Sequence, residues 1–146
     1  MIQGGDPESK HARQGQHLGE SSLKYTLTAE FDTALFHKKG ALAAAREADA
    51  DNPKKSSSST QFYIVQGKTF TDDEMDKMED KLKIKIPENH RKVYRTVGGT
   101  PFLDMNYTVF GEIISGLDVI DKIAAVPKDN NNRPIQNIRM KIIILK

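Results

Sequence analysis

The alternation of apolar and polar positions predicts a chain of short strands. Residues 61–65, Gln-Phe-Tyr-Ile-Val, are all compatible with a strand and form the clearest one. Residues 108–113 predict a second strand. Residues 138–145 begin by alternating and end in Ile-Ile-Ile-Leu, which is typical of a buried final strand. Residues 24–27 predict a short extended piece, whereas the small apolar residues 40–45 favour a helix by propensity alone.

A helical pattern replaces the strand pattern after Thr71. Apolar side chains recur there at helical spacing, at Met75, Met78, Leu82 and Ile86. Thr71 is followed three residues later by Glu74, which matches a capping box at a helix start. We predict a helix over residues 72–83, a break at Pro87, a second helix over residues 88–97, and a third over residues 117–123. Ordinary packing explains the methionine stripe better than a partner site does.

The remaining segments are predicted to be loops within a single domain. Residues 8–22, 49–60 and 129–134 are polar and rich in Gly, Ser or Asn. The chain has 146 residues and no internal repeat, so we predict one domain over residues 1–146.

Composition narrows the function classes. A hydrophobic content of 37% with 29% charged residues fits a globular domain. The net charge of +2 comes from interspersed acids and bases, so we expect no nucleic-acid partner. No apolar run approaches the roughly 20 residues of a membrane span. The absence of Cys excludes disulfides and thiolate metal sites and suits reducing and oxidising compartments alike, so the localisation stays open. The four histidines have no close metal-ligand spacing, and we expect neither a metal nor another cofactor.

Four segments, in order along the chain, resemble the cyclophilin peptidyl-prolyl isomerases. Residues 1–6 are Met-Ile-Gln-Gly-Gly-Asp, residues 59–64 are Ser-Thr-Gln-Phe-Tyr-Ile, residues 100–104 are Thr-Pro-Phe-Leu-Asp, and residues 107–113 are Tyr-Thr-Val-Phe-Gly-Glu-Ile. Each pattern alone is weak, but four in the right order make a specific match across most of the chain.

The resemblance implies a mainly β fold, an antiparallel β-barrel with flanking α-helices. It makes residues 40–45 a buried strand rather than a helix. The first matched segment lies well inside the family's domain, so the barrel is expected to be N-terminally truncated and to contain about five strands. Residues 72–99 are expected to be a helical insertion, a surface excursion whose deletion leaves peptide binding intact.

The resemblance also implies an open groove on the outside of the barrel. The residues that would form it are Met1, Gln3, Ala45, Arg46, Gln61, Tyr63, Phe102, Leu103 and Tyr107. By the family register, Phe62 points to the core and Tyr63 to the groove. Gln3 could instead cap a turn. Arg46 could equally well be a solvated surface residue. Phe102 and Tyr107 could simply pack as part of a lid.

The chemistry of such a groove needs no nucleophile and no cofactor. An X–Pro bond rotates slowly because amide resonance gives it a barrier of roughly 18–20 kcal/mol. The resemblance implies that Met1, Tyr63 and Leu103 grip the proline ring, while Gln3 has the catalytic role of holding the rotating carbonyl. The expected function is therefore peptidyl-prolyl cis-trans isomerisation that assists protein folding, with proline-containing peptides or unfolded client proteins as partners.

The family's catalytic arginine and the Phe before the first matched segment have no counterpart in these residues. We therefore expect weak or no activity from residues 1–146, with a proline-peptide binding module or an inactive fragment as the alternatives. The strand predicted at residues 138–145 would leave an open barrel edge, which favours self-association or low stability.

Overall fold

The computed structural model describes residues 1–145, which form two antiparallel β-sheets. The strands are β1 (Ile2–Gly4), β2 (Thr26–Leu27), β3 (Ala41–Ala44), β4 (Ser57–Ser58), β5 (Phe62–Ile64) and β6 (Val109–Glu112). The larger sheet has the order β1-β5-β3-β6, and β2 pairs with β4 in the smaller one. The mainly β prediction is thus confirmed, although no closed barrel is found within residues 1–145.

Three α-helices accompany these sheets: α1 (Asp72–Leu82), α2 (Glu88–Thr96) and α3 (Leu117–Ala124). The predicted capping box is present, because the Thr71 hydroxyl accepts from the Glu74 amide at 3.2 Å and the Glu74 carboxylate accepts from the Thr71 amide at 2.8 Å. Short 3₁₀ turns occupy Pro7–His11 and Pro101–Leu103. Within the described part of the chain, no helix has the length and apolar character needed to cross a bilayer.

The buried strand expected at residues 40–45 is confirmed, against the helix propensity of this segment, because the neighbouring strands complete its hydrogen bonds. β3 pairs with β5 on one side and with β6 on the other, with a register shift between Leu42 and Ala43. Ala41 and Ala43 are almost completely buried, so their small side chains suit the centre of the sheet. Tertiary pairing here overrides helix propensity.

Two apolar clusters form the core. One lies under the larger sheet and joins Ala41, Ala43, Ala45, Tyr63, Val65 and Val109, with Leu103 and Tyr107 packed against it. The other lies in the helical segment and contains Phe70, Met75, Ile86 and Tyr94. Of the predicted helical stripe, Met75 and Ile86 are buried, whereas Leu82 remains exposed.

Residues 138–145 do not form the predicted final strand. They have no regular secondary structure, and the side chains of Ile142 to Leu145 are between 65% and 88% exposed. An apolar run becomes a buried strand only when a neighbouring strand takes up its hydrogen bonds. No such neighbour lies beside this run within residues 1–145. Within residues 1–145, the edges of the larger sheet are therefore β1 and β6 and not residues 138–145.

Candidate functional site

Several of the predicted groove residues lie on one face of the larger sheet. Gln3 lies directly opposite Tyr63 in the β1–β5 pair, and Tyr63 lies opposite Ala43 in the β5–β3 pair. Directly opposed side chains in antiparallel strands share a face. Beyond the end of β3, the Ala45 amide donates to the Gln61 carbonyl at 3.0 Å, which brings Ala45 to the same region.

A cavity of about 490 Å³ opens on this face. Gln3, Ala45, Arg46 and Gln61 line one part of it, and residues from the loops at 19–26 and 47–58 line the rest. Four of the nine predicted groove residues thus border one concave space. Its volume is in the range of small-molecule and peptide side-chain pockets.

Gln61 fixes the position of Gln3. The Gln61 side chain is buried, and its Nε2 donates to the carbonyl oxygens of Gly19 at 3.0 Å and Ser21 at 2.7 Å. Its Oε1 then accepts from Gln3 Nε2 at 3.0 Å. Gln3 is itself exposed and lines the cavity, and its Nε2 carries a second hydrogen that the bond to Gln61 does not use. This arrangement prepares a polar group for a ligand without further ordering.

Asp6 orders the loop that holds Gln61. Its buried carboxylate accepts from the amides of Glu8 at 2.8 Å and Gly19 at 2.6 Å, and from the Ser21 hydroxyl at 2.6 Å. Burial by itself would raise the pKa of Asp6, but the hydrogen bonds from Ser21, Gly19 and Glu8 outweigh it and lower the pKa below its usual value. The loop is therefore tied to the ionised carboxylate.

Tyr63 is not an exposed groove residue. It shares the face of Gln3 as the register predicted, but only 2% of it is exposed and its ring belongs to the core cluster. Tyr107 covers it edge-to-face with ring centroids 5.8 Å apart. Phe62, predicted to be the core residue of the pair, is only half-buried. The loop after Pro101 covers the Tyr63 side of the sheet, so Tyr63 supports the groove from below.

Arg46 is neither a solvated surface residue nor free to reach a ligand. Its side chain is 5% exposed, and its guanidinium lies 4.4 Å from the ring centroid of Tyr107. Nε donates to the Asn106 carbonyl at 2.9 Å, and Nη1 lies 2.6 Å from the Asp49 carboxylate. The cation–π contact and the ion pair fix the guanidinium over Tyr107.

The other predicted groove residues are more loosely related to the cavity. Leu103 is half-buried and packs on the core cluster beside Tyr107. Phe102 is 44% exposed in the 3₁₀ turn next to Leu103, and Met1 is 53% exposed next to β1. Both are near the site in sequence, but neither borders the cavity described above.

Comparison with known proteins assigns the family. The family model for cyclophilin type peptidyl-prolyl cis-trans isomerase/CLD matches residues 1–143. The chain belongs to this family. It is similar to a protein of Staphylococcus saprophyticus named "Putative peptidyl-prolyl cis-trans isomerase", with 32% identity over 143 residues that cover 98% of this chain and 66% of the relative. Proteins of the same name from Staphylococcus haemolyticus and Staphylococcus aureus strain USA300 are each 31% identical over 143 residues.

The chain spans 66%, 65% and 66% of the lengths of these three relatives, slightly under two thirds of each. The match runs through all four segments that carry the cyclophilin resemblance, because it covers residues 1–143.

Sequence reasoning missed a polar group behind the predicted groove. His37 is completely buried; its Nδ1 lies 2.9 Å from Asp104 Oδ1, and its Nε2 lies 2.9 Å from the Tyr63 hydroxyl. Asp104 was part of a matched segment, but nothing in the sequence pairs it with His37, which is 67 residues away. The available signal was a lone His before a predicted strand, which is too common to indicate a role.

Proposed function

We propose that this cyclophilin is a peptidyl-prolyl cis-trans isomerase that binds proline-containing segments of peptides or unfolded proteins in this groove. The observation that carries the proposal is the placement of Gln3. Its amide is held by Gln61 on the face that also carries the apolar wall of Leu103 and Tyr107 over Tyr63. An apolar surface beside one oriented amide fits a proline ring next to a peptide carbonyl.

The apolar wall supplies the binding of the proline ring. Leu103 and Tyr107 are half-buried, so each combines a fixed position with an accessible surface. Phe102 and Met1 are exposed, and we propose that they add apolar surface near the site. Tyr63 contributes from below by holding Tyr107 in place, which replaces the direct contact with the ring that the resemblance implied.

Gln3 supplies the interaction with the rotating bond. Because one hydrogen of Gln3 Nε2 is donated to Gln61, the side chain can turn only slightly, and the second hydrogen of Nε2 is left to donate to the substrate carbonyl. Rotation about the X–Pro bond breaks amide conjugation, and a preorganised polar group helps only if it fits the twisted state better than the planar one. No covalent intermediate and no cofactor is needed.

Arg46 does not take the place of the family's catalytic arginine. Its guanidinium is already engaged with Asn106, Asp49 and Tyr107, so it is not free to donate to a substrate. We therefore propose that residues 1–146 bind proline peptides and accelerate their rotation only weakly. The missing donor is worth roughly 10²–10³ in rate when aimed at a transition state.

The same family assignment leads us to propose that the larger sheet is part of an antiparallel barrel. β1 and β6 are its edges within residues 1–145, and a barrel requires further pairing at such edges. Segment 72–99 is proposed as an insertion between β5 and the groove loop at Pro101, since its two helices pack on each other and on a separate apolar cluster.

Peptide titration tests the binding half of the proposal. An Ala-Pro peptide should shift the methyl signals of Leu103 and the ring signals of Tyr107 in NMR spectra, while a peptide with Ala in place of Pro should not. Equal shifts from both peptides, or shifts confined to residues distant from Gln3, would show that the groove does not recognise proline.

A further inference from the structure

A chain of hydrogen bonds joins helix α2 to the groove. The Tyr94 hydroxyl donates to Asp104 Oδ2 at 2.7 Å. Asp104 Oδ1 accepts from the backbone amide of His37 at 2.8 Å and lies 2.9 Å from His37 Nδ1. His37 Nε2 in turn lies 2.9 Å from the Tyr63 hydroxyl. The two apolar clusters of the core are thus connected by one polar path.

The direction of each hydrogen bond follows from Asp104, the acceptor at the centre of the path. With Asp104 as a carboxylate, His37 Nδ1 must carry the proton that it shares with Oδ1. In a neutral imidazole the other nitrogen is then an acceptor, so the Tyr63 hydroxyl donates to Nε2. Burial raises the pKa of both Tyr63 and Tyr94, which keeps both phenols protonated as donors.

Most of this path is shielded from water, because His37 and Tyr94 are 0% exposed and Tyr63 is 2% exposed, whereas the side chain of Asp104 is 17% exposed. Water therefore cannot replace a hydrogen bond lost between His37 and Tyr63. A buried network of this kind, fully satisfied, holds its members in one arrangement. Moving Tyr94 therefore leaves Asp104 either to shift or to lose a partner.

The C-terminal end of segment 72–99 lies at the same point. The Thr100 amide donates to the His37 carbonyl at 2.9 Å, directly after the segment. Gly99 approaches this carbonyl so closely that an added Cβ would lie 2.2 Å from it, and its φ of +156° disfavours other residues. The segment is therefore anchored to His37 through its backbone as well as through Tyr94.

We propose that helix α2 positions the proline-binding wall of the groove through the path Tyr94–Asp104–His37–Tyr63. Asp104 directly follows Leu103, so fixing its carboxylate fixes the turn that presents Leu103. Tyr63 lies under Tyr107 at the other end of the path. Tyr94, Asp104 and His37 are positioning residues in this view. The inference rests on the proposed function, and it replaces the expectation that segment 72–99 can be deleted without effect on peptide binding.

The test compares Tyr94→Phe with Tyr25→Phe in the full chain. Tyr94→Phe removes one buried hydroxyl and keeps the ring, while Tyr25→Phe makes the same chemical change at a side chain that is 55% exposed. Two readouts are taken on the folded proteins by NMR: the signals of Leu103 methyls and the His37 imidazole nitrogens, and the Kd and saturated exchange rate of an Ala-Pro peptide.

We expect Tyr94→Phe to shift the Leu103 and His37 signals and to raise the peptide Kd about fivefold to tenfold. The exchange rate of bound peptide should change by less than about twofold, because the wall grips the proline ring equally in the planar and twisted states. Tyr25→Phe should change neither readout. A purely structural role would instead lower the fraction of active protein at unchanged Kd.

Unchanged Leu103 and His37 signals in Tyr94→Phe would overturn the positioning role, whatever the peptide does. Shifted signals with an unchanged Kd would also overturn it. If the wild-type chain itself fails to bind the Ala-Pro peptide, the proposed function fails, and the Leu103 and His37 signals alone then decide whether α2 is coupled to the groove wall.

Discussion

Replacing Gln61 with Glu changes one atom of the site and reverses its hydrogen bonding. In the wild-type chain, Gln61 Nε2 donates to the carbonyl oxygens of Gly19 and Ser21, at 3.0 and 2.7 Å. In Gln61→Glu a carboxylate oxygen takes the place of that nitrogen and faces both carbonyls without a proton. Gln3 keeps its acceptor, because Oε1 is retained. The variant therefore separates the anchoring of the loop from the contact with Gln3.

The size of the effect follows from the bonds that are lost. Two neutral hydrogen bonds contribute about 1 kcal/mol each, and a buried charge facing two carbonyl oxygens adds a cost of similar size, so we expect a loss of about 3 kcal/mol in the free energy of unfolding at pH 8. Burial and the carbonyl oxygens should raise the pKa of the introduced carboxyl group in the folded state. Its protonated form is then favoured by folding, and this stabilisation is lost as the pH rises through the folded pKa. At pH 5 the protonated group can donate one hydrogen bond, which should recover about 1 kcal/mol.

Urea denaturation at both pH values measures this directly, with each variant compared with the wild type at the same pH. Gln14→Glu is the matched control, because Gln14 is exposed in the same loop region. Gln14→Glu should lower the free energy of unfolding only slightly at either pH. An equal cost for the two variants, or a Gln61→Glu cost that is the same at pH 5 and pH 8, would refute the assignment of Gln61 as a buried double donor.

Three further predictions concern other parts of the chain. Asp6→Asn should lower the free energy of unfolding at pH 7. Because the folded pKa of Asp6 is depressed, the wild type should lose this advantage only as the pH falls below about 4, which acid titration by circular dichroism would show. Arg91→Met should lower the thermal midpoint, since Arg91 ties α2 to three acidic side chains of α1; the exposed Lys92→Met should not, and equal midpoints would contradict the ion-pair account. The exposed apolar residues 142–145 should cause concentration-dependent self-association in sedimentation velocity, which Ile143→Lys should weaken; a wild-type chain that stays monomeric at all concentrations would oppose this.

The local signals in the sequence predicted the helices well. Thr71 and Glu74 form a capping box through side chains only three residues apart, so the start of α1 is specified locally. Pro87 likewise precedes α2 as expected. The strand at Ala41–Ala44 needed the family resemblance, because its alanines favour a helix until β5 and β6 are placed beside it.

The parts that depend on distant partners could not be predicted from local pattern. Residues 138–145 have the composition of a strand, but a strand also needs a neighbour, and none lies beside it within residues 1–145. In the site, Tyr63 was expected to point to the groove, but it lies opposite Gln3 and is buried, and its burial depends on the loop after Pro101. The bonds of His37 to Asp104 and of Gln61 to Gly19 span many residues, and no spacing rule indicates them.

Two-dimensional exchange NMR on an Ala-Pro peptide tests the central claim most directly. At protein concentrations close to that of the peptide, cross peaks between the cis and trans forms report even weak acceleration over the uncatalysed exchange, which takes about 10–100 s. We predict faster exchange with the wild-type chain, retained in Gln14→Ala and lost in Gln3→Ala. Exchange no faster than that of the free peptide, or acceleration that survives Gln3→Ala unchanged, would contradict a prolyl isomerase site built around Gln3.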